Sequence, residues 1–265
     1  MNRQGLAKAL KEAAKAGDVG AIRAALAAGA NPNDTGRAGE NSALYLAAEG
    51  GHLVAVQYLC QSGADVNYVS NYGKIALGAA AQKGRAEIAA YLLEQGANPN
   101  LRPPSLGATP LVECALRHDP QSAVIARMLL DAGANPNMAV YPLWGKPVEI
   151  TLLGEAPPLM FAAYRQNEPI VEALLRGGAD PNWRPQGERE VQSALEAVFC
   201  PRNFLWSKFG GPSAATKARA RRIAGMLLDA GAQPTEQAWQ WAKQAGCSSP
   251  LAAKRESSSR GRPKK

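Results

Sequence analysis

The pentapeptide GANPN stands at residues 29–33, 96–100 and 133–137, with near-copies at 63–67 (GADVN), 178–182 (GADPN) and 231–235 (GAQPT). The opening glycines, Gly29, Gly63, Gly96, Gly133, Gly178 and Gly231, are 34, 33, 37, 45 and 53 residues apart. A period of 33–34 that later copies only lengthen marks stacked repeats that carry insertions. Each pentapeptide follows apolar residues at helical spacing, such as Ile88, Leu92 and Leu93, or Ile170, Leu174 and Leu175. Glycine there ends the helix by taking a left-handed backbone, Asn or Asp favours a turn, and Pro fixes it.

The segments before each glycine also align. SALYLAAEGGHLVAVQYLCQSGADVN (42–67), IALGAAAQKGRAEIAAYLLEQGANPN (75–100) and PPLMFAAYRQNEPIVEALLRGGADPN (157–182) superpose without a gap. TPLVECALRHDPQSAVIARMLLDAGANPN (109–137) needs three extra residues, and LKEAAKAGDVGAIRAALAAGANPN (10–33) is a degenerate first copy. Thr109-Pro110-Leu111, Gly51-His52 and Gly178-Ala179-Asp180-Pro181-Asn182 resemble the ankyrin repeat, whose pattern runs T-P-L-H-x-A-A, then G-H, then G-A-D-x-N. The resemblance spans roughly residues 8–245, although no copy keeps T-P-L-H whole and the sixth is interrupted. It implies an all-α solenoid of six stacked helix pairs with short finger loops.

The residues support that reading on their own terms. An Ala-Ala pair closes a short first helix, and neither helix of a pair can bury its own apolar face, so neighbours must stack. Repeats should end near 33, 67, 100, 137, 182 and 235, inside a domain of residues 1–249. Arg3, Lys8 and Lys11 should lie on a wet outer face of the first helix. A capping helix over 236–246, with Thr235 at its N-cap, should close the far end, Trp239 and Trp241 covering the core.

Of the net charge of +8, residues 250–265 hold +5 and the acid-free stretch between Glu196 and Asp229 holds +6, leaving about −3 elsewhere. Local basicity suits an acidic partner or nucleic acid, or simply a solvated face. Four dispersed cysteines suit reduced thiols rather than a disulfide framework. No leader peptide or membrane-spanning stretch is read, so a soluble cytoplasmic monomer is expected.

The resemblance places partners on the fingers and on a concave wall of first helices. The variable positions there are Tyr72, Lys74, Gln82, Lys83, Leu106, Arg117, Tyr164 and Arg165. Tyr and Arg are enriched at interface hot spots. The insertion MAVYPLWGKPVEITLLGEA (138–156), with Tyr141 and Trp144, is too apolar for a disordered loop. It reads as a hairpin presenting Trp144 to a partner, or as a lid packing back on the solenoid. Trp183, on the next finger, shares either fate. A second insertion (200–219) sets Phe204, Trp206 and Phe209 among cations, as a contact surface or a self-packing loop.

Chemistry finds little footing. Two histidines, His52 and His118, and a Cys114–His118 pair do not make a metal site, and no phosphate-cradling loop or nucleophile elbow occurs. The expectation is a protein-binding scaffold that is not an enzyme and takes no cofactor. The tail 250–265 has a disordered composition. Its last residues, Arg260-Gly261-Arg262-Pro263-Lys264-Lys265, resemble the core of an AT-hook: glycine lets the backbone sit deep, and arginines meet the potential of a narrow minor groove. The alternative function is therefore a DNA-tethered adaptor.

Overall fold

The computed structural model describes residues 2–36, 40–102, 108–140, 153, 155–185, 190–200, 213–248 and 251. The chain forms two compact units, Met1–Asn135 and Pro136–Lys265. Among the described residues the regular elements are thirteen α-helices.

In the first unit, helices α1 (Arg3–Ala16), α2 (Val19–Ala27), α3 (Ala43–Gly50), α4 (Leu53–Gln61), α5 (Ala76–Lys83), α6 (Ala86–Glu94), α7 (Pro110–Ala115) and α8 (Pro120–Asp131) form four antiparallel pairs. Asn2, Asp18, Ser42, Thr109 and Asp119 start five of these helices, each accepting from the backbone N–H three residues on. That satisfies donors which the first turn cannot pair internally. The first helices α1, α3, α5 and α7 stack in one row and the second helices α2, α4, α6 and α8 in another. Small side chains line the first row: Ala43, Ala47 and Ala48 of α3 and Ala76, Ala79 and Ala80 of α5 are all buried, and the two helices pack against each other. Ile22, Leu59, Leu92 and Leu129, one from each second helix, are fully buried. Each such leucine contributes about 1.5–3 kcal/mol on burial.

In the second unit, α9 (Pro158–Tyr164) pairs with α10 (Glu168–Arg176), and α11 (Ala194–Phe199) with α12 (Ala214–Asp229). Helix α13 (Glu236–Gln244) closes on α11, with Thr235 as its N-cap. Ala238 and Ala242 are its buried residues, while Trp239 and Trp241 are half-buried. Cys247 and Leu251, the latter at the start of the basic tail, are buried at 0% and 1% exposure.

The six pentapeptides share one geometry. Their glycines sit at φ between 84° and 97°, a left-handed backbone that other residues resist. The following alanine donates to the carbonyl five residues back, at 2.8–3.0 Å. The third residue turns the chain: Asn31, Asp65, Asn98 and Asp180 accept from the N–H two residues on, at 2.8–2.9 Å. The last asparagine then joins one repeat to the next. Asn33 Nδ2 donates to the Gly63 carbonyl at 2.9 Å, and its Oδ1 accepts from Asp65 N–H at 2.7 Å. Asn67 treats Gly96 and Asn98 the same way, and Asn100 treats Gly133 and Asn135. In the second unit Asn137 reaches Gly178 and Asp180, and Asn182 reaches Gly231 and Gln233. The sixth copy ends in Thr235, whose hydroxyl instead caps α13 and donates to Glu196 at 2.6 Å.

The opposite edge, where the two helices of a pair meet, is braced by varied side chains. His52 Nε2 lies 3.1 Å from the Lys15 carbonyl at the end of α1. The Arg85 guanidinium covers Gly51, and Arg117 Nη1 donates to the Gln82 carbonyl near the end of α5. His52 and Arg117 thereby meet carbonyls that a helix C-terminus leaves unpaired. In the second unit Gln166 Nε2 donates to the Val198 carbonyl at 3.2 Å, and Arg221 Nη2 to the Gly246 carbonyl at 2.7 Å.

Candidate protein-binding surface

The finger that follows Asn67 is built by its own backbone. Lys74 O accepts from Ser70 N–H at 3.1 Å, Ser70 Oγ accepts from Lys74 N–H at 3.0 Å, and Gly73 N–H donates to Ser70 O at 2.9 Å. This tight turn pushes Asn71 and Tyr72 outward. Tyr72 is 66% exposed, whereas Tyr45 and Tyr164 are 4% and 2% exposed. Behind the tip, the Tyr68 hydroxyl donates to the Glu40 carbonyl at 3.2 Å, fastening this finger to the preceding one. The base of that preceding finger is tied to α1 by Lys11, which donates to the Thr35 carbonyl at 2.7 Å and pairs with Glu40.

Lys11 therefore departs from the wet outer face expected of it; its side chain is only 17% exposed, because it joins α1 to the finger. Arg3 and Lys8 do stay in solvent, Arg3 pairing with Asp34 at 2.5 Å and Lys8 facing Glu12 at 3.8 Å. The Arg3 hydrogen bond holds the Asp34 carboxyl below the usual carboxylate range.

The row of first helices presents alternating charge. Lys83 Nζ lies 3.6 Å from Glu49 Oε1, and Gln82 Nε2 donates to Glu113 Oε2 at 3.4 Å, each bracing one repeat against its neighbour. Glu49 also accepts from the Tyr45 hydroxyl at 3.3 Å. Burial, and then the charge of Glu49, push the Tyr45 phenol upward. Glu49 and Glu113 were not among the candidate contacts read from sequence. Glu49 occupies the same repeat column as Gln82, and that shared variable column was the signal available.

The remaining candidates separate. Lys74 is half-buried in the finger, and Lys83 is exposed beside Glu49. Arg117 serves the helix-turn edge, shared among Asp119, Ser122 and the Gln82 carbonyl, and so is structurally engaged. Desolvation opposes ionisation of Asp119, but hydrogen bonds from Ser122 and Arg117 prevail and lower its pKa. Tyr164 is a core residue rather than a surface one, because α9 has α10 on one side and α11 on another and buries all seven of its residues. Arg165 and Trp183 are half-buried. Cys114 is fully buried while His118 is exposed, so the two do not converge.

Leu106, Tyr141, Trp144, Phe204, Trp206, Phe209 and Arg260–Lys265 lie outside the described residues. The ends of the 138–156 insertion are described. Val140 and Ala156 form an antiparallel bridge through reciprocal N–H···O bonds of 3.0 and 3.2 Å, and both are fully buried, as is Leu153. The insertion thus leaves and rejoins the fold through one closed stem.

A residue missed from sequence is Glu196, a 2% exposed carboxylate in the first turn of α11. Its oxygens accept from Gln192 N–H and the Thr235 hydroxyl, both at 2.6 Å, and Arg184 stands 4.0 Å away. It thereby ties the finger after Trp183 to the closing helix. No group of metal-ligating side chains occurs among the described residues, and none of their helices is long and apolar enough to cross a membrane.

Ankyrin repeats in three copies match residues 10–103, and a further ankyrin repeat matches residues 156–184. The chain is 38% identical over 98 residues to the ankyrin repeat and KH domain-containing protein mask-1 of Caenorhabditis elegans, covering 37% of this chain and 4% of that protein. It is 42% identical over 62 residues to Rabankyrin-5 of Homo sapiens and of Mus musculus, covering 23% of this chain and 5% of either relative. The chain thus spans only 4–5% of the length of these relatives. With the shared left-handed glycines, the asparagine bonds from repeat to repeat and the two rows of helices, the repeat matches make this chain an ankyrin-repeat protein.

Proposed function

We propose that the chain is a non-enzymatic module that docks a protein partner along its fingers and first-helix row, with Tyr72 as the anchor. Tyr72 carries this reading: a large aromatic side chain is held 66% exposed at the tip of a hydrogen-bonded turn. Lys74 stands beside it in the turn, and Lys83, Glu49, Gln82 and Glu113 supply a mixed polar surface on the first helices. A rigid aromatic within a polar rim is the usual makeup of a hot spot. The 138–156 insertion is a second contact element: its sequence carries Tyr141 and Trp144 between the bridged Val140 and Ala156, and Trp183 follows on the next finger. Four free cysteines fit a monomer working in the reducing cytoplasm.

Tyr72→Ala tests the reading. Co-purification from a lysate, followed by titration with the recovered partner, should show affinity weakened about tenfold or more. Replacing 141–152 by a short turn should weaken it further. Unchanged affinity for both variants would remove this surface from consideration.

The second reading, a DNA-tethered adaptor, is favoured by charge placement. Residues 136–265 hold 18 Lys and Arg against 11 Asp and Glu, whereas residues 1–135 are nearly balanced, with 12 against 11. Deleting 250–265 should weaken binding to AT-rich duplexes, with a salt slope near −5 for about five phosphate contacts in the intact chain.

A further inference from the structure

Helix α12 reads AATKARARRIAGMLLD and carries Lys217, Arg219, Arg221 and Arg222, with no acid before Asp229. Ala220, Ile223, Ala224, Leu227 and Leu228 are buried, which turns the opposite face to solvent. At about 100° per residue, Lys217 and Arg221 edge one side of that face and Arg219 and Arg222 the other. Small residues, Ala214, Ala218 and Gly225, lie between the two rows. Two of the cations also hold structure. Arg222 makes a bidentate pair with Glu168 at 2.8–3.0 Å, and Arg221 donates to the Gly246 carbonyl at 2.7 Å. The pair occupies the Glu168 carboxylate, so Arg219 feels it only at longer range.

We propose that this face of α12 binds the phosphate backbone of duplex DNA without reading its sequence. This rests on the DNA-tether reading and adds a folded contact surface to the tail. Charge complementarity carries it: three exposed arginines on one helix, with half-buried Lys217 at their margin, oppose a polymer with one negative charge per about 1.7 Å. The chemistry between the cations selects the occupant. An acidic protein would need an aromatic or large aliphatic anchor at the centre of its contact, and this face offers alanine and glycine there. A single strand would need stacking aromatics, of which α12 has none. Backbone contact with a duplex needs neither, because phosphate contacts position without specifying. Arg and Lys can donate to a 2′-hydroxyl oxygen as well as to phosphate, so duplex RNA is the competitor that tests the choice of DNA.

The test is fluorescence anisotropy of a labelled DNA duplex of about 20 base pairs with the full chain, across a salt series. Lys217→Glu with Arg219→Glu alters the face and spares Arg221 and Arg222. Lys8→Glu with Arg127→Glu, on exposed positions of the first unit, makes the same change in net charge. The α12 variant should lose about tenfold or more in affinity and flatten the salt slope by about 2, and the control should lose under about twofold. Lys217→Gln with Arg219→Gln, matched to the native chain in helix content by circular dichroism, should show a smaller loss in the same direction. No binding by the native chain overturns both the tether reading and this inference. Equal losses in the α12 variant and the control, or an unchanged slope, overturn this inference while leaving the tail to act alone. Displacement of the duplex by polyglutamate or by duplex RNA as readily as by unlabelled DNA overturns it too.

Discussion

The two polar edges of the first unit do the same work with different rules. On the finger edge, Asn33, Asn67 and Asn100 each donate to a glycine carbonyl and accept from an N–H two residues further on, within 2.6–3.1 Å. On the helix-turn edge the repeats are braced by an imidazole, His52, and by two guanidiniums that act differently, Arg85 packing over Gly51 and Arg117 donating to the Gln82 carbonyl. The first edge needs one donor and one acceptor on a short side chain at a fixed reach, and asparagine supplies both. The second asks only for a group that can reach a helix C-terminus, so its residue identity is free to drift. Verbatim repetition marks where backbone meets side chain on strict geometry.

The glycines sharpen that contrast. At Gly29 an added Cβ would meet nothing within 4 Å, so the position demands only its left-handed backbone. At Gly17, φ is +73° and a Cβ would also overlap the His52 ring. Gly17→Ala should therefore cost about 2–3 kcal/mol: about 1–2 for the backbone, and about 1 for the displaced ring and its bond to Lys15. Gly29→Ala should cost about 1–2 kcal/mol. Urea unfolding of both variants checks the order, and adding His52→Ala to Gly17→Ala should bring no further loss. Equal midpoints for the two glycine variants would show that the ring contact contributes nothing.

Breaking the asparagine edge comes next in size. Asn67→Ala removes the bonds to Gly96 and Asn98 together, at about 1 kcal/mol each, hence about 2 kcal/mol in the same assay. His52→Ala removes one bond and should cost about 1 kcal/mol. An Asn67 variant no less stable than the His52 variant would refute the distinction drawn between the edges.

The smallest effect lies in the second unit. Hydrogen bonds from Arg222 hold the Glu168 carboxyl below its ordinary range, with burial opposing them. A lowered folded pKa means the stabilisation is present above the unfolded value of about 4.3 and fades as pH falls through the folded value. Glu168→Gln should thus be slightly less stable than the native chain near pH 6, and the difference should shrink steadily as pH falls below about 4.3. The pair is partly exposed, so the difference should also shrink in high salt.

Register, helix pairing and the helix-stopping glycines were legible in GANPN because every step involved is local: a left-handed residue, a side chain bonding two residues on, a period of about three dozen residues. The 138–156 insertion was legible as a break in that period, and Val140 and Ala156 show the stem at which the break is closed. The burial of Tyr164, the engagement of Lys11 and Arg117, and the buried Glu196 were not legible. Each depends on groups brought together across sequence distances that vary with the insertions, 24 residues for Lys11 with Thr35 and 39 for Glu196 with Thr235.

By itself, then, the chain's spelling determined a repeat protein of helix pairs, because the period, the turns and the apolar spacing are properties of neighbouring residues. Only the tertiary structure decided which side chains remain in solvent. A column of tyrosines or cations looks alike in every repeat, but Tyr72 projects from a hydrogen-bonded finger while Tyr164 lies between helices. The physical reason is that burial depends on what packs against a residue, and in a stack of repeats the packing residues come from the next repeat along the chain.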